Sequence, residues 1–380
     1  MTLMPEFKFS IVLTTINGGD VLDGYCLQAE KEGLREQLHT IVIPDRKSPP
    51  TLFDTCRALA RRGFDIVCPT LPEQETFLSK VGAIGRLIPY NSDNRRNVGF
   101  LMALEKGCDL LISIDDDNYC MGGKDVFSTY AVVCGEPVTM PAVHSVSGWF
   151  NLCDFLQVEP AYTVYPRGFP YHKRHQPSPL ARGEETGLVR LNAGLWLNEP
   201  DMDAITWLGA PVRAKAFLGG SLLLGQDTWT PINTQNTSLH CDLIVAYYFV
   251  RMGYPLTGMP IDRYGDIYSG YLLQACVRHF GHRIRVGTPV ADHRRNAHNY
   301  MRDLVGELAC ILTLEEFTEW LPGVRLSGTD YSTTYLSLAD AIDDQIERFS
   351  GTIWTDATRG YFHQMTYCMR QWVKACAVFG

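Results

Sequence analysis

Three consecutive carboxylates, Asp115, Asp116 and Asp117, follow the apolar run Leu110 to Ile114 in the stretch DLLISIDDDNY. Anions this close repel one another and resist burial, a cost of several kcal/mol unless a cation or several donors face them. Their type and spacing therefore point to cation chemistry. Carboxylate oxygens suit Mn2+ or Mg2+ better than Zn2+. Side chains alternate along a strand, so Asp115 and Asp117 are expected on one side as metal ligands and Asp116 on the other. The competing reading is a solvated acidic turn.

Other residues could complete such a site. Asp45 ends a second apolar run, His39 to Ile43, and would accept hydrogen bonds from a base or ribose, or else cap the turn after it. Thr15 ends the opening run, FSIVLTT. His293 precedes Arg294 and Arg295; a neutral imidazole can join a metal shell and the arginines can hold phosphate oxygens, unless the three form an ordinary basic surface turn. Arg95 and Arg96 open a helical stretch, where a helix N-terminus attracts anions and a cationic side chain opposes the dipole. Asp266 either caps the helix that follows it or orients a sugar or acceptor hydroxyl. A cation held by Asp117, with Asp115 or Asp116 assisting and Asp45 nearby, is what a nucleotide-sugar site requires, because it neutralises a diphosphate leaving group.

These side chains need a frame. Apolar runs at Phe9 to Thr15, His39 to Ile43, Phe64 to Cys68, Arg86 to Tyr90 and Leu110 to Ile114 alternate with helical patterns, which predicts an α/β fold with a doubly wound, mainly parallel sheet. In such sheets ligands bind beyond the carboxyl ends of the strands, where Thr15, Asp45 and the acidic triplet all fall. From about Val143 the chain turns aromatic and proline-broken, which predicts a loop-rich, strand-poor substrate region. A helix is expected over Ser269 to Phe280, then a strand over Arg283 to Val286 and a short turn at Ala291 to His293. Amphipathic helices are expected from Thr313 onward, including Leu336 to Phe349 and Gly360 to Val378. The expected division is a catalytic domain over residues 1–310 and a helical appendage over 311–380, the latter a homo- or hetero-oligomer surface or a lid.

Composition narrows the partners. A net charge of −8 over 380 residues, with no basic tract, argues against nucleic acid. Twelve cysteines are scattered without a CxxC pair and read as small core residues of a reducing compartment. The N-terminal stretch lacks an export signal, and no uncharged apolar run approaches ~18 residues. A cytoplasmic protein without a membrane span is the expectation. No P-loop, GxSxG or HExxH pattern occurs.

The chain resembles the reversibly glycosylated polypeptides, or UDP-arabinopyranose mutases, among the metal-dependent glycosyltransferases of GT-A fold. Ordered motifs carry the resemblance: IVLTTIN from Ile11, Arg96-Asn97-Val98-Gly99-Phe100, Ile114 to Asp117, Arg167-Gly168-Phe169-Pro170 with Arg174 after it, Gly194 to Asn198 followed by Pro200-Asp201-x-Asp203-Ala204, Arg263-Tyr264-x-Asp266, and His293. The resemblance implies a GT-A-like fold, a UDP-sugar bound with Mn2+ or Mg2+ at the triplet, and reversible attachment of the sugar to an arginine, whose matching position is Arg167. On this reading Arg167, Asp116, Asp266 and Arg174 are catalytic. Thr15, Asp45, Arg96, Asp115 and Arg295 bind the nucleotide sugar, and Asp115, Asp117 and His293 hold the metal. Two departures bear on the sugar: Gly265 stands where the family tends to carry an acid, and residues 175–190 form a longer, more polar segment. Transfer to a carbohydrate or small-molecule acceptor, and a quiet self-glycosylated carrier, are the alternatives.

Overall fold

The computed structural model describes residues 7–176 and 178–380. Its largest element is a mixed sheet whose strands run in the order Asp65–Val67, Leu38–Pro44, Phe9–Thr15, Leu110–Ile114, Asn236–His240, Val189–Asn198, Arg283–His293, Leu222–Leu224, Val138–Ser145 and Leu180–Gly187. The first four strands are parallel. Both faces of the inner three, Leu38–Pro44, Phe9–Thr15 and Leu110–Ile114, are covered, so these strands are almost wholly buried, whereas the edge strand Asp65–Val67 is not. Alternation sorts them: Val12 and Leu111 join one core cluster, while Phe9, Ile11, Leu13, Leu110, Ile112 and Ile114 join the other.

Beyond Leu110–Ile114 the sheet turns antiparallel, pairing Asn236 with Ile114 and His240 with Leu110. The strand Arg283–His293 then runs parallel to Val189–Asn198, with a register shift between Gly287 and Val290. Its last residues also pair with Asn118–Cys120, setting His293 opposite Asn118. This pairing brings His293 beside Asp117.

Three expectations change. Arg86 to Tyr90 is not a strand: Ala83–Leu87 is a short helix, because buried Ile84 and Ile88 lie one helical turn apart. Ala291 to His293 is not a turn but the end of an 11-residue strand. The region after Val143 is less strand-poor than expected, since it contributes Leu180–Gly187 and Val189–Asn198 among others. Leu180–Gly187 is an exposed edge strand within the polar segment noted above, so it lacks an apolar pattern to read.

The helix Arg96–Lys106 lies on the sheet and ends on Gly107 in the left-handed conformation. At the C-terminus, Tyr300–Trp320, Tyr331–Ile346 and Asp356–Cys376 are capped by Asn299, Asp330 and Thr355. The first of these helices runs continuously across residues 310 and 311. Trp372 is fully buried and donates from Nε1 to the Ile244 carbonyl at 2.9 Å, so the last helix shares the core of the sheet. Among the described residues no helix is long and apolar enough to cross a membrane.

Candidate active site

A cleft of about 380 Å³ opens at the carboxyl ends of the parallel strands and is lined by Thr15, Asp45, Arg96, Asp115, Asp116, Asp117, Arg167, Asp266, His293 and Arg295. Nearly every residue singled out from sequence thus meets in one place. The three carboxylates do not divide by simple alternation. Asp115 accepts from Arg96 Nη2 at 2.5 Å, Asp116 accepts from Thr15 Oγ1 at 2.6 Å and Asn17 Nδ2 at 2.9 Å, and Asp117 faces His293 Nε2 at 3.5 Å. The chain turns at Asp115 into the bridging strand Asn118–Cys120, so strand alternation stops before it can govern the triplet.

Charge is handled differently at each acid. Arg96 is buried and also donates to Ser113 Oγ, the Thr234 carbonyl and Thr234 Oγ1, so it neutralises Asp115 from beneath. Burial pushes the Asp116 carboxyl up, with Thr15 opposing. Burial also works against the Asp117 charge, but His293 and Arg295 hold that carboxyl below its ordinary value. Correspondingly, burial disfavours a charged His293 while Asp117 draws its pKa upward.

The donor set at Asp117 fits a divalent cation. His293 Nδ1 lies 2.5 Å from the Glu199 carbonyl, a contact that requires it to carry the proton. The Nε2 lone pair then points at a carboxylate, an arrangement that is repulsive unless a cation or proton lies between. Asp115, drawn to Arg96, is left to assist with its other oxygen.

A second cluster forms the opposite wall. Arg167 is 9% exposed. Its Nε donates to Asp201 Oδ1 at 3.0 Å, Nη1 to Asp266 Oδ1 at 3.0 Å and the Arg263 carbonyl at 2.6 Å, and Nη2 to Asp266 Oδ2 at 2.5 Å. A guanidinium has five N–H donors, so one on Nη2 has no partner among the described residues. Burial opposes its charge, but Asp201 and Asp266 raise the Arg167 pKa well beyond its ordinary value. The two acids are pushed apart: burial raises Asp266, whereas Arg167 overcomes burial at Asp201 and holds it low. Asp266 therefore serves the guanidinium, not the helix N-terminus.

Gly168 explains how this wall closes. It has φ +86°, and a Cβ there would collide with Ile267 Cγ2, so the turn carrying Arg167 presses directly onto the helix Gly265–His279 that carries Asp266.

Three site residues differ from expectation. The structure does not bring Arg174 into the cleft: it donates to Asp203 Oδ2 at 2.5 Å and packs 3.7 Å over the Tyr171 ring. Asp45 lines the cleft, but its carboxylate is engaged by the Arg46 and Ser92 backbone N–H groups, the capping arrangement. Arg95 turns to Gln74 and stacks 4.2 Å over Tyr90. Two acids were missed. Asp201 brackets Arg167 across 34 residues. Asp93 is exposed at the rim and lines the cleft. Arg295 adds a buried Nη1 that, among the described residues, has no hydrogen-bond partner.

Residues 8–380 match the family described as reversibly glycosylated polypeptide. The chain belongs to that family. It is 26% identical over 372 residues to a probable UDP-arabinopyranose mutase 1 of Pisum sativum, covering 97% of this chain and 90% of the relative. It is 24% identical over 378 residues to UDP-arabinopyranose mutase 3 of Arabidopsis thaliana, covering 98% and 92%. Among solved structures, a glucosyl-3-phosphoglycerate synthase from Mycobacterium tuberculosis with Mn2+ and UDP-glucose aligns over 82% of this chain and 79% of its own, at 12% identity and TM-score 0.39. The α/β class expected from sequence is the one observed.

Proposed function

We propose that this member of the family binds a UDP-sugar in the cleft, together with Mn2+ or Mg2+, and moves the sugar reversibly onto Arg167 as a mutase-like or glycosyltransferase step. The observation that carries this reading is the one Nη2 N–H of Arg167 left without a partner, in a cleft whose other wall is the acidic triplet. The curated relatives named UDP-arabinopyranose mutase support the substrate class. A divalent cation held by Asp117 and His293, with Asp115 assisting, would neutralise the charge developing on the diphosphate.

The chain's own groups account for the rest. Arg295, with its unpartnered Nη1, holds phosphate oxygens. Asp45 and Thr15 border the nucleoside end of the cleft. Nη2 of Arg167 forms a bond to the anomeric carbon, and the bond from that carbon to the diphosphate oxygen breaks, its electron pair leaving with UDP. The Nη2 proton passes to Asp266 Oδ2, 2.5 Å away, whose raised pKa suits a proton acceptor. Asp201, held low, stays ionised and balances the guanidinium throughout. Return of the sugar to UDP reverses these steps, and an intervening change of ring oxygen would interconvert pyranose and furanose.

Full engagement of the other four N–H groups favours a second reading, in which Arg167 stays a fixed cation and an external hydroxyl attacks. Intact mass after incubation with UDP-sugars and Mn2+ separates the two. A sugar-sized gain that disappears in Arg167→Ala supports attachment to Arg167. No gain, with acceptor transfer intact, overturns it.

A further inference from the structure

The strand Leu110–Ile114 has a second functional end. Its antiparallel neighbour finishes at His240, opposite Leu110, and the chain continues directly into Cys241 and Asp242. Among the described residues, these three form the one group whose His, Cys and carboxylate ligand atoms all lie within 4.8 Å of one another. His240 Nδ1 is 3.3 Å from Asp242 Oδ2 and 4.0 Å from Cys241 Sγ, and Cys241 Sγ is 3.6 Å from Asp242 Oδ1. Ligands bonded at ~2.0–2.3 Å to a tetrahedral ion stand roughly 3.3–3.7 Å apart; His240 and Cys241 each reach Asp242 within that range but on different carboxylate oxygens, and the contact between His240 and Cys241 is slightly long.

The donors select the ion. A nitrogen, a thiol sulfur and one carboxylate suit Zn2+ and its thiophilic relatives, whereas Mg2+ and Mn2+ prefer oxygen. His240 Nδ1 is the unprotonated nitrogen, accepting from the Asp242 backbone N–H in a long 3.3 Å contact, and an ion bound there would take over that lone pair in place of the cap. The surroundings add sulfur: Cys134 Sγ donates to the Asp109 carbonyl at 3.4 Å, and the same carbonyl accepts from the Cys241 N–H at 2.9 Å. Cys241 and Asp242 also line a cavity of about 630 Å³ with Cys108, His282, Tyr331 and Cys376, which leaves a fourth coordination position reachable. Among the described residues, the lining of that cavity contains no lysine or arginine.

We propose that His240, Cys241 and Asp242 bind one Zn2+-class ion, at the opposite end of the strand from the cleft. Binding releases the Cys241 proton to solvent and leaves a thiolate bonded to the metal; nothing is oxidised.

Co2+ substitution tests this with the full chain. After chelator treatment, one equivalent of Co2+ is expected to produce a thiolate-to-cobalt charge-transfer band that Zn2+ removes and a tenfold excess of Mg2+ does not. The cleft lining contains no cysteine, so the band reports only a sulfur site. Cys241→Ser and His240→Ala should each lose it, while Asp117→Asn and Cys56→Ser should keep it. Both Asp242 and Cys241 reach the surface enough for conservative variants to fold, and Asp242→Asn should weaken Co2+ affinity about tenfold with the band retained. Absence of the band in the wild-type chain, its persistence in Cys241→Ser, or its loss in Asp117→Asn overturns the proposal. UDP-sugar turnover unchanged in Cys241→Ser keeps the result independent of the cleft reading.

Discussion

The two ends of the Leu110–Ile114 strand carry the same pair in different company. At the carboxyl end His293 faces Asp117 at 3.5 Å, and at the other end His240 faces Asp242 at 3.3 Å. The first pair sits among carboxylates and in a cleft also lined by Lys47, Arg95, Arg96, Arg167, Arg263 and Arg295. The second sits beside a thiol, and its Asp242 lines a cavity in which, among the described residues, His282 is the only basic side chain. The lesson is that an imidazole–carboxylate pair alone specifies little. The third donor chooses the cation, and the surrounding cations decide whether an anionic ligand can accompany it.

Several experiments would break or sharpen that contrast. The largest effect is expected from deleting residues 311–380, which cuts the helix Tyr300–Trp320 and removes Trp372 from the core and Cys376 from the far cavity. The shortened chain should show no cooperative thermal transition by circular dichroism; a normal transition would mark the helices as a separable appendage. Arg167→Ala comes next. It leaves Asp201 and Asp266 buried without their cation, so a loss of about 3–5 kcal/mol in urea unfolding is expected, and the sugar-sized mass gain should disappear. Asp117→Asn should lower Mn2+-dependent turnover by at least ~10²-fold, with little change in folding, because the cleft loses its metal-facing carboxylate.

Asp201→Asn should cost about 1–3 kcal/mol at neutral pH. Here the sign follows from the lowered pKa of Asp201 in the folded chain. Its stabilisation is fully present above the unfolded value near ~3.9 and fades as pH falls through the lower folded value. The gap between wild type and variant, read from denaturant midpoints, should therefore shrink below about pH 4; a gap that widens there would contradict the assignment. Smallest of all, Cys241→Ser should leave cleft turnover within about twofold.

Much of this arrangement could be read from the chain because parallel strands buried on both faces are nearly continuous apolar runs. Their ends, Thr15, Asp45 and the acidic triplet, then fall together by topology. His293 was legible as a ligand type, but its partner was set by pairing with Asn118–Cys120, a three-residue strand too short to announce itself. Asp201 and Asp266 meet only through Arg167, across separations of 34 and 99 residues, which no local pattern encodes. Arg174 carries the right side chain and the wrong orientation: Asp203 and Tyr171 capture it before it reaches the cleft. Asp93 stands in a short helical turn with no sequence feature to single it out, and only the fold brings it to the cleft.

Gly168 contributes no charge, no hydrogen-bonding side chain and no ligand atom, yet every group around Arg167 depends on what it lacks. A relative that kept Arg167, Asp201 and Asp266 but carried any larger residue at this position would pass an inventory of reactive side chains while failing to assemble them. Inactivity in such a chain would be a matter of spacing, invisible to any search that counts only chemically active residues.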